Sequence, residues 1–334
     1  MLNRIIPVFI PHAGCPNLCV FCDQRSIAGK GGIPSESELE AVVLEAVGKT
    51  SRTDMQLAFY GGSFTSTPRE IQKHCLDAAS GLCRRGLISS VRFSARPDAI
   101  DDEILDFVLS YPVMTIELGA QSMDDNVLVL SGRGHTAEDT IRAAGLIKKR
   151  EIGLILQMMV GLPGEKVHGA YDTAQRLIQL KPDGVRIYPA AVIERTELCN
   201  MYRRGEYTPL DIDEAAEICG GLIELFEAAG VEIIRCGLNP SEELRSEVVA
   251  GVYHPAFGEL ARSTIYLRRT EALIEALDSI PEPLILRVNP SCVSLMVGQK
   301  RRNIELLQKK FGIGRIIVKP SEVAHGTVEI GAVG

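Results

Sequence analysis

Short β-branched and aliphatic runs alternate with longer helical patterns along the first 235 residues, and this alternation limits the folds open to the chain. The predicted strands span residues 4–10, 55–60, 88–94, 113–118, 152–160, 184–188 and 231–235. The predicted helices span residues 35–47, 68–85, 99–110, 137–149, 168–179 and 212–229. This order is typical of a parallel sheet covered by helices, with strands buried on both faces. A doubly wound open sheet and an incomplete barrel both satisfy it.

Two of the predicted helices have clear start signals. Ser35 and Glu38 form a capping box, in which each side chain accepts a hydrogen bond from the backbone N–H of the other residue. Thr136 is the predicted cap of the helix over residues 137–149. These signals predict where the two helices begin.

Composition and charge exclude several broad classes of protein. The chain is 46% hydrophobic and 24% charged, which is typical of globular proteins and excludes a disordered chain. Its net charge of -7 argues against a general nucleic-acid binder but is compatible with a local basic face. The apolar run at 152–162 is too short to span a bilayer, so no membrane partner is expected. The first residues read as a strand rather than a signal peptide, and nine cysteines without an export signal predict a reducing cytoplasm.

The C-terminal part of the sequence differs in charge from the rest. A length of 334 residues is enough for about two domains. From residue 284 onward, eight Lys and Arg residues face three Glu residues, a net charge of +5. The predicted organisation is a core over residues 1–240, a helical connection over 241–283 and a small basic α+β module over 284–334.

Three cysteines follow the first predicted strand within eight residues. Cys15, Cys19 and Cys22 are separated by three and two residues, so their thiolates can converge on one inorganic centre. A structural zinc ion normally takes four ligands, and His12 could supply a fourth, which keeps a zinc site as an alternative. Three thiolates suit a [4Fe–4S] cluster with one iron left open for a substrate or cofactor.

A glycine pair closes the second predicted strand. Gly61 and Gly62 stand between Tyr60 and Ser63. Glycines allow a backbone to approach a ligand closely, although an ordinary turn at the end of a strand is the alternative interpretation. The pair lies one β/α unit after the cysteines, which favours one shared site.

Together, the cysteine triplet, with Phe21 before its last member, and the glycine turn resemble the radical S-adenosylmethionine (SAM) superfamily. The resemblance implies that Cys15, Cys19 and Cys22 each ligate one iron. It implies that the fourth iron holds the amino and carboxylate groups of SAM, and that the Gly61-Gly62-Ser63 backbone binds the amino group. It also implies reductive cleavage of SAM to methionine and a 5′-deoxyadenosyl radical, with ferredoxin or flavodoxin as reductant.

Further motifs resemble two branches of that superfamily. Residues 116–122, 132–136 and 159–164 are similar to oxygen-independent coproporphyrinogen III oxidase and to the radical-SAM half of the elongator catalytic subunit. Residues 95–98 and 186–189 favour the elongator relative. The implied fold is α/β, a partial (β/α)6 TIM-type barrel with a small C-terminal α+β, KH-like module. Its site is expected at the carboxyl ends of the strands.

The resemblance also implies roles for individual side chains in the cofactor site. Gln121 and Arg133 match positions that face SAM, and a cation suits its carboxylate. Gln157 is expected to point into the barrel, and Ile187 and Tyr188 to edge the adenine pocket. Arg96, Asp98 and His135 are not assigned catalytic roles. Arg96 and Asp98 are expected to pair near the end of a strand, and His135 to support the loop before a helix.

The C-terminal module resembles a KH domain. Its predicted strands span 284–288 and 314–318 and flank predicted helices over 290–297 and 303–311. Gly298-Gln299-Lys300-Arg301 occupies the place of the GXXG loop that clamps a nucleic-acid backbone, with Arg301 in the place of the second glycine. Lys300, Arg301 and Arg302 add charge that suits phosphates. The alternative is a small structural cap with a solvated basic loop.

We therefore expect a radical SAM enzyme that modifies RNA, specifically tRNA. The alternatives are a radical SAM enzyme acting on a small metabolite or tetrapyrrole, and a non-catalytic Fe–S or RNA-binding protein. The elongator relative carries a downstream acetyltransferase domain, for which the 334 residues leave no room, so acetyl-CoA is not expected as a partner. Cys199, Cys236 and Cys292 are interpreted as buried thiols.

Overall fold

A computed structural model describes residues 5–10, 15, 19–22, 32–50, 52–166 and 168–331 of the chain. Its strands are β1 (Ile5–Phe9), β2 (Gln56–Tyr60), β3 (Ser90–Ala95), β4 (Val113–Gln121), β5 (Gly153–Val160), β6 (Gly184–Pro189), β7 (Ala191–Ile193), β8 (Glu232–Cys236), β9 (Val248–Gly251), β10 (Leu284–Val288), β11 (Ile316–Pro320) and β12 (Val328–Gly331). Its α-helices are α1 (Glu36–Thr50), α2 (Arg69–Arg84), α3 (Asp102–Val108), α4 (Asp125–Leu130), α5 (Ala137–Lys149), α6 (Gly169–Gln179), α7 (Glu197–Arg203), α8 (Ile212–Ala228), α9 (Glu242–Glu247), α10 (Phe257–Glu275), α11 (Val293–Val297) and α12 (Arg302–Phe311). Residue 4 of the first predicted strand and His12, the alternative zinc ligand, lie outside the described residues.

The strand order of the main sheet identifies the architecture. The seven strands run β1-β2-β3-β4-β5-β6-β8, and every neighbouring pair is parallel. A doubly wound sheet reverses its strand order at a switch point, whereas this order never reverses. Because parallel crossovers are right-handed, such an order puts all the connecting helices on one face. The sheet is therefore the predicted incomplete barrel, with β8 as a seventh strand beyond the six expected units.

Alternation along the strands separates a helix-covered face from an inner face. On β4, Ile116 and Leu118 are fully buried in the main hydrophobic core, which contains apolar residues from the surrounding helices. Glu117 and Gly119 have the opposite orientation and line a cavity. Successive side chains of a strand point to opposite faces. The position of a residue along its strand therefore decides whether its side chain faces the core or the cavity.

The two predicted capping signals are present. Ser35 Oγ accepts a hydrogen bond from Glu38 N at 3.3 Å, and Glu38 Oε2 accepts one from Ser35 N at 2.8 Å. Thr136 Oγ1 accepts from Asp139 N at 3.2 Å, and Asp139 Oδ2 accepts from Thr136 N at 2.9 Å. Helix α5 therefore has its predicted bounds, because a local hydrogen-bond exchange fixes its first turn.

Other elements differ from the predictions. Helix α3 begins three residues later than predicted, because Asp101 Oδ1 caps it by accepting from Ile104 N at 2.8 Å. The segment predicted as a helical connection also contains β9, which pairs with β7 in a separate antiparallel sheet. Both strands are too short to show an alternating pattern in the sequence.

The C-terminal residues form the predicted small α+β module. Strand β10 lies between β11, which is parallel to it, and β12, which is antiparallel. Strand β11 begins two residues later than predicted, and β12 was not predicted. The hydrophobic core of the module includes Tyr266 and Ile274 of α10, so the module is built onto that helix. In the described residues, no helix combines the length and apolar character needed to cross a membrane.

Candidate active site

A cavity of about 660 Å³ opens at the carboxyl ends of the barrel strands. Its lining extends from Phe9 on β1 to Arg235 on β8 and therefore crosses the whole sheet. The predicted site residues that line it are Cys15, Cys19, Cys22, Gly61, Gly62, Ser63, Gln121, Arg133, Gln157 and Tyr188. Residues from distant parts of the sequence meet here because parallel strands end at one edge of the sheet.

The segment around Cys19 and Cys22 is fixed by contacts with the residue that follows α4 and with the first turn of α7. Val20 donates its backbone N–H to Ser131 O at 3.1 Å and accepts a hydrogen bond at its own carbonyl from Leu198 N at 2.7 Å. Phe21 packs against an apolar cluster that includes Leu162. Backbone and side-chain contacts thus position two of the three thiols at the cavity.

The glycine turn after β2 is shaped by the close approach of β1. Gly61 has a φ of +112°, and a Cβ atom there would lie 2.4 Å from Ile10 O. Ser63 is buried, and its Oγ accepts a hydrogen bond from Arg96 N at 3.1 Å. Glycine is required at Gly61, and the Ser63 side chain joins the turn to the end of β3.

Gln121 ends β4 in a strained conformation. It has a φ of +65°, next to a register shift in the pairing of β4 with β5. Left-handed backbone is unfavourable for a residue with a side chain and is concentrated at functional sites. Its Oε1 atom is buried and has no hydrogen-bond partner in the part of the chain that the structure describes.

Two arginines enter the cavity next to each other. Arg133 donates from Nη2 to Gly119 O at 2.6 Å and from Nη1 to Cys19 Sγ at 3.3 Å. Arg96 forms the predicted pair with Asp98, with both hydrogen bonds at 2.9 Å. Its Nη1 atom is buried and has no partner among the described residues. Arg96 therefore offers the cavity a hydrogen-bond donor that no described residue uses. The sequence predicted only its pair with Asp98.

The floor of the cavity is a charged network that sequence analysis did not single out. Glu117 is fully buried, and its carboxylate accepts hydrogen bonds from Arg186 Nε at 2.8 Å and Arg92 Nη1 at 3.0 Å. Tyr60 Oη donates to it at 2.6 Å and Gln157 Nε2 at 3.0 Å. The available signal was a charged residue within each of three otherwise apolar strands, since such groups need buried partners.

Electrostatics fix the charge states of two buried groups. Burial raises the pKa of Glu117, but the charges of Arg186 and Arg92, with hydrogen bonds from Arg186 and Tyr60, outweigh it and hold that pKa below its ordinary value. Burial, with the nearby charges of Arg133 and Arg96, lowers the pKa of His135 to about 4. His135 is therefore neutral at pH 7, and Nε2 donates to Ala120 O at 3.2 Å, in keeping with the predicted loop support.

Ile187 requires a correction. Its side chain is fully buried in the main core and is not part of the cavity lining. The next residue, Tyr188, lines the cavity, because neighbouring side chains on β6 point to opposite faces. Of the two side chains expected at the edge of the adenine pocket, only that of Tyr188 lies at the cavity.

The predicted nucleic-acid residues lie outside the cavity, in a loop of the C-terminal module. Lys300, Arg301 and Arg302 are exposed. Arg302 Nη1 forms an ion pair with Asp213 Oδ1 at 2.6 Å, at the first turn of α8. Among the other cysteines, Cys199 and Cys292 are buried as expected, while Cys236 is half-buried.

Comparison with known proteins decides the family. The sequence matches the family model for the Radical SAM superfamily over residues 9–177, and that for the Radical_SAM C-terminal domain over residues 182–268. The chain belongs to the radical SAM superfamily. It is therefore an enzyme that uses a [4Fe–4S] cluster and SAM, and it needs a reductant.

Two relatives from Methanocaldococcus jannaschii show how far the similarity extends. A tRNA uridine(34) acetyltransferase is 33% identical over 195 residues, which are 52% of this chain but only 36% of that protein. An uncharacterised protein is 32% identical over 232 residues, which are 66% of this chain and 70% of that protein. The chain therefore spans about a third of the first relative and most of the second.

A solved structure of Methanocaldococcus infernus Elp3, which lacks its N-terminal residues, has the same fold. The TM-score is 0.62, and the match covers 79% of this chain and 63% of that one. The identity is 23%, so the likeness concerns the fold alone. It confirms the partial barrel that the sequence predicts.

The cavity of this radical SAM enzyme suits the cofactors of the superfamily. Within the described residues, no three His, Cys, Asp or Glu side chains lie close enough to hold one metal ion. A four-iron cluster is larger than a single ion and separates its three thiolates further. Cys15, Cys19 and Cys22 all line the space such a cluster would fill. The unpartnered Gln121 Oε1 and Arg96 Nη1 suit the ammonium and carboxylate groups of SAM.

Proposed function

We propose that this radical SAM enzyme modifies RNA, and that its substrate is tRNA. The observation that carries the proposal is the place of the basic loop (residues 298–302), at the end of the barrel where the cavity opens. An RNA held by the basic loop could then present a nucleoside to the cavity. The proposed electron donor is a low-potential carrier such as ferredoxin or flavodoxin.

Two contacts define where the basic loop lies. Leu210, just before α8, packs at Gly161, the residue that follows β5 at its carboxyl end. Helix α8 therefore begins at the carboxyl ends of the strands, as expected of a helix that connects parallel strands. The Arg302–Asp213 ion pair joins the basic loop to the first turn of this helix. The loop thus shares the cavity's end of the barrel.

The backbone of the basic loop also supports phosphate binding. Lys300 and Arg301 have φ values of +51° and +67°. For an L-residue this left-handed conformation costs roughly 1–2 kcal/mol, and glycine would adopt it more readily. Arg301 occupies the position of the second glycine in the GXXG pattern. A groove of about 550 Å³ beside it is lined by Lys300, Arg302 and His254, whose donors suit a phosphate backbone, and also by the carboxylates of Asp213 and Glu305.

The similarity to named relatives supports the same substrate class. The first of the two Methanocaldococcus jannaschii relatives is named as a tRNA uridine(34) acetyltransferase. Because the chain spans only 36% of that protein, we propose tRNA as the substrate class and not acetyl transfer. When bound, the cluster and SAM together supply one-electron chemistry that removes a hydrogen atom from the substrate.

We propose specific roles for the residues of the cavity. The three cysteine thiolates hold the cluster, and the backbone of Gly61, Gly62 and Ser63 approaches SAM. Gln121 and Arg96 orient its ammonium and carboxylate groups, and Tyr188 borders its adenine. The Glu117 network, which includes Gln157, keeps the floor rigid and charged. Burial of these groups excludes water from the reacting atoms.

Binding experiments test the role of the basic loop. The variant Lys300→Gln/Arg301→Gln should bind tRNA at least about tenfold more weakly at 0.1 M salt. It should also lower the slope of log affinity against log salt by about 2, because two phosphate contacts are lost. Lys309→Gln/Lys319→Gln removes the same charge from exposed positions elsewhere in the module and should bind like wild type. Equal losses in both double variants would overturn the role of the loop.

A turnover assay tests the proposed function itself. Reduced, anaerobic enzyme should form 5′-deoxyadenosine from SAM faster when tRNA from cells lacking this chain is present. One nucleoside of that tRNA should change mass in liquid chromatography–mass spectrometry, and Cys22→Ala should abolish both results. SAM cleavage without any dependence on tRNA or change in its nucleosides would reject RNA and favour a small-molecule substrate.

A further inference from the structure

The loop between α4 and α5 supports the cysteine segment. Gly132 and Gly134 have φ values of +64° and +70°, so two left-handed turns enclose Arg133. Ser131, at the start of this loop, accepts the backbone hydrogen bond from Val20 at 3.1 Å. The loop and the cysteine segment are therefore joined one residue away from Cys19, although more than 100 residues separate them in the sequence.

The guanidinium of Arg133 is fixed against Cys19. Arg133 is only 7% exposed, and its two terminal nitrogens donate to Gly119 O and Cys19 Sγ. The backbone carbonyl of Arg133 accepts a hydrogen bond from Arg96 Nη2. Gly119 leaves room for this arrangement, because a Cβ atom there would lie 3.2 Å from Arg133 Nη2. The direction of the guanidinium is thus determined by contacts on several sides.

This arrangement differs from the role that the resemblance implied for Arg133. A residue that mainly binds the SAM carboxylate would direct its terminal nitrogens into the cavity. Here one terminal nitrogen meets a cluster ligand at 3.3 Å and the other a strand carbonyl at 2.6 Å. Arg96 instead has a terminal nitrogen that no described residue engages.

We propose that Arg133 raises the reduction potential of the cluster through its charged hydrogen bond to the Cys19 thiolate. On reduction the cluster gains one electron from the external reductant, and its negative charge increases by one. A cation that donates to a ligand sulfur stabilises the more negative state more strongly, which raises the potential. Arg133 is therefore a positioning and tuning residue for electron uptake. This role is independent of the RNA substrate.

The test is a redox titration of the full-length protein carrying its reconstituted cluster, followed by electron paramagnetic resonance. Arg133→Gln removes the charge and the guanidinium contact, so its midpoint potential should shift to a more negative value. Arg235→Gln is the matched control, because Arg235 lines the same cavity but, within the described residues, hydrogen-bonds only to Gly237 O and Leu238 O. Its midpoint potential should move less.

The iron content of each variant decides which midpoint potential is interpreted. If Arg133→Gln holds four irons per chain and keeps the wild-type potential, or shifts no more than Arg235→Gln, the proposal is overturned. If Arg133→Gln does not hold the cluster, Gly119→Ala is read against Gln121→Ala, because the new Cβ would lie 2.8 Å from Gln121 Nε2 and 3.2 Å from Arg133 Nη2 and so crowds both side chains. A more negative potential in Gly119→Ala than in Gln121→Ala supports the proposal, and equal potentials overturn it. Neither result depends on whether tRNA is the substrate.

Discussion

Glu165 illustrates how the charge of a single, partly buried residue can depend on its surroundings. Its Oε2 atom accepts a hydrogen bond from Gly161 N at 2.6 Å, directly after β5. Its Oε1 atom is buried and has no partner within the described chain. Burial raises the pKa of this carboxyl to about 7, despite the Gly161 hydrogen bond. The turn that ends β5 therefore contains a carboxyl that changes its charge near neutral pH.

The free energy of unfolding should reflect this raised pKa. Between the ordinary pKa of 4.5 and about 7, the folded state binds more protons at Glu165 than the unfolded state. Stability from this group is therefore present below pH 4.5 and is lost as the pH rises through 7, by up to about 3 kcal/mol. Glu165→Gln should remove that loss, so the variant should gain stability relative to wild type between pH 5 and pH 8. Urea unfolding of both proteins at pH 5 and pH 8 measures their free energies of unfolding. An equal difference between variant and wild type at the two pH values would contradict the raised pKa.

At the scale of elements, the turns after the strands position the site. Each strand of the main sheet supplies between one and three side chains to the cavity, and the turn that follows sets how closely the backbone approaches. Gly61 meets the end of β1, and Gly119 admits the guanidinium of Arg133. Glycine is needed for different reasons at the two positions, backbone conformation and close approach in the turn at Gly61 and space within β4 at Gly119.

Substitution of Gly61 should separate a steric requirement from a conformational one. Gly61→Ala adds both left-handed strain and a contact at 2.4 Å with Ile10 O. Gly86→Ala adds only the strain, since Gly86 has a φ of +69° and nothing within 4 Å of the new Cβ. We expect a loss of roughly 1–2 kcal/mol at Gly86 and clearly more at Gly61, with weaker SAM binding only at Gly61. Chemical denaturation and equilibrium dialysis with SAM check this, and similar losses at both positions would show that the turn relaxes.

At the scale of the whole molecule, the barrel and the C-terminal module share α10. This helix packs against α8 on the barrel side. On its other side, Ser263 Oγ donates to Leu295 O at 2.7 Å, and Asn303 Nδ2 donates to Ser263 O at 3.0 Å. Tyr266 is 3% exposed in the core of the module. The module is therefore a structural part of the enzyme in addition to its proposed role in binding RNA.

Removal of the module should therefore destabilise the barrel. A chain ending at residue 283 would expose the buried face of α10, including Ile274, which is 2% exposed in the full chain. We expect a melting temperature several degrees below that of the full chain, or aggregation, while Lys300→Gln/Arg301→Gln melts like wild type. Differential scanning calorimetry compares the three proteins. An unchanged melting temperature for the shortened chain would show that the two parts are independent.

The sequence by itself determined the local features of this protein. Helix α5 has its predicted bounds because Thr136 and Asp139 are three residues apart and satisfy each other's backbone groups. The cysteine spacing and the Gly61 turn predicted the family and the contents of the cavity. Such features depend on neighbours within a few residues, so a linear pattern contains them.

Only the tertiary structure decided which distant groups meet and which way each side chain points. A strand residue changes face with a shift of one position, and this separates Tyr188 in the cavity from Ile187 in the core. The Glu117 network joins five strands, and Arg133 reaches Cys19 across 114 residues of sequence. The non-reversing strand order is likewise a long-range property. Periodicity within one strand does not encode its neighbours, so these contacts follow only from the folded sheet.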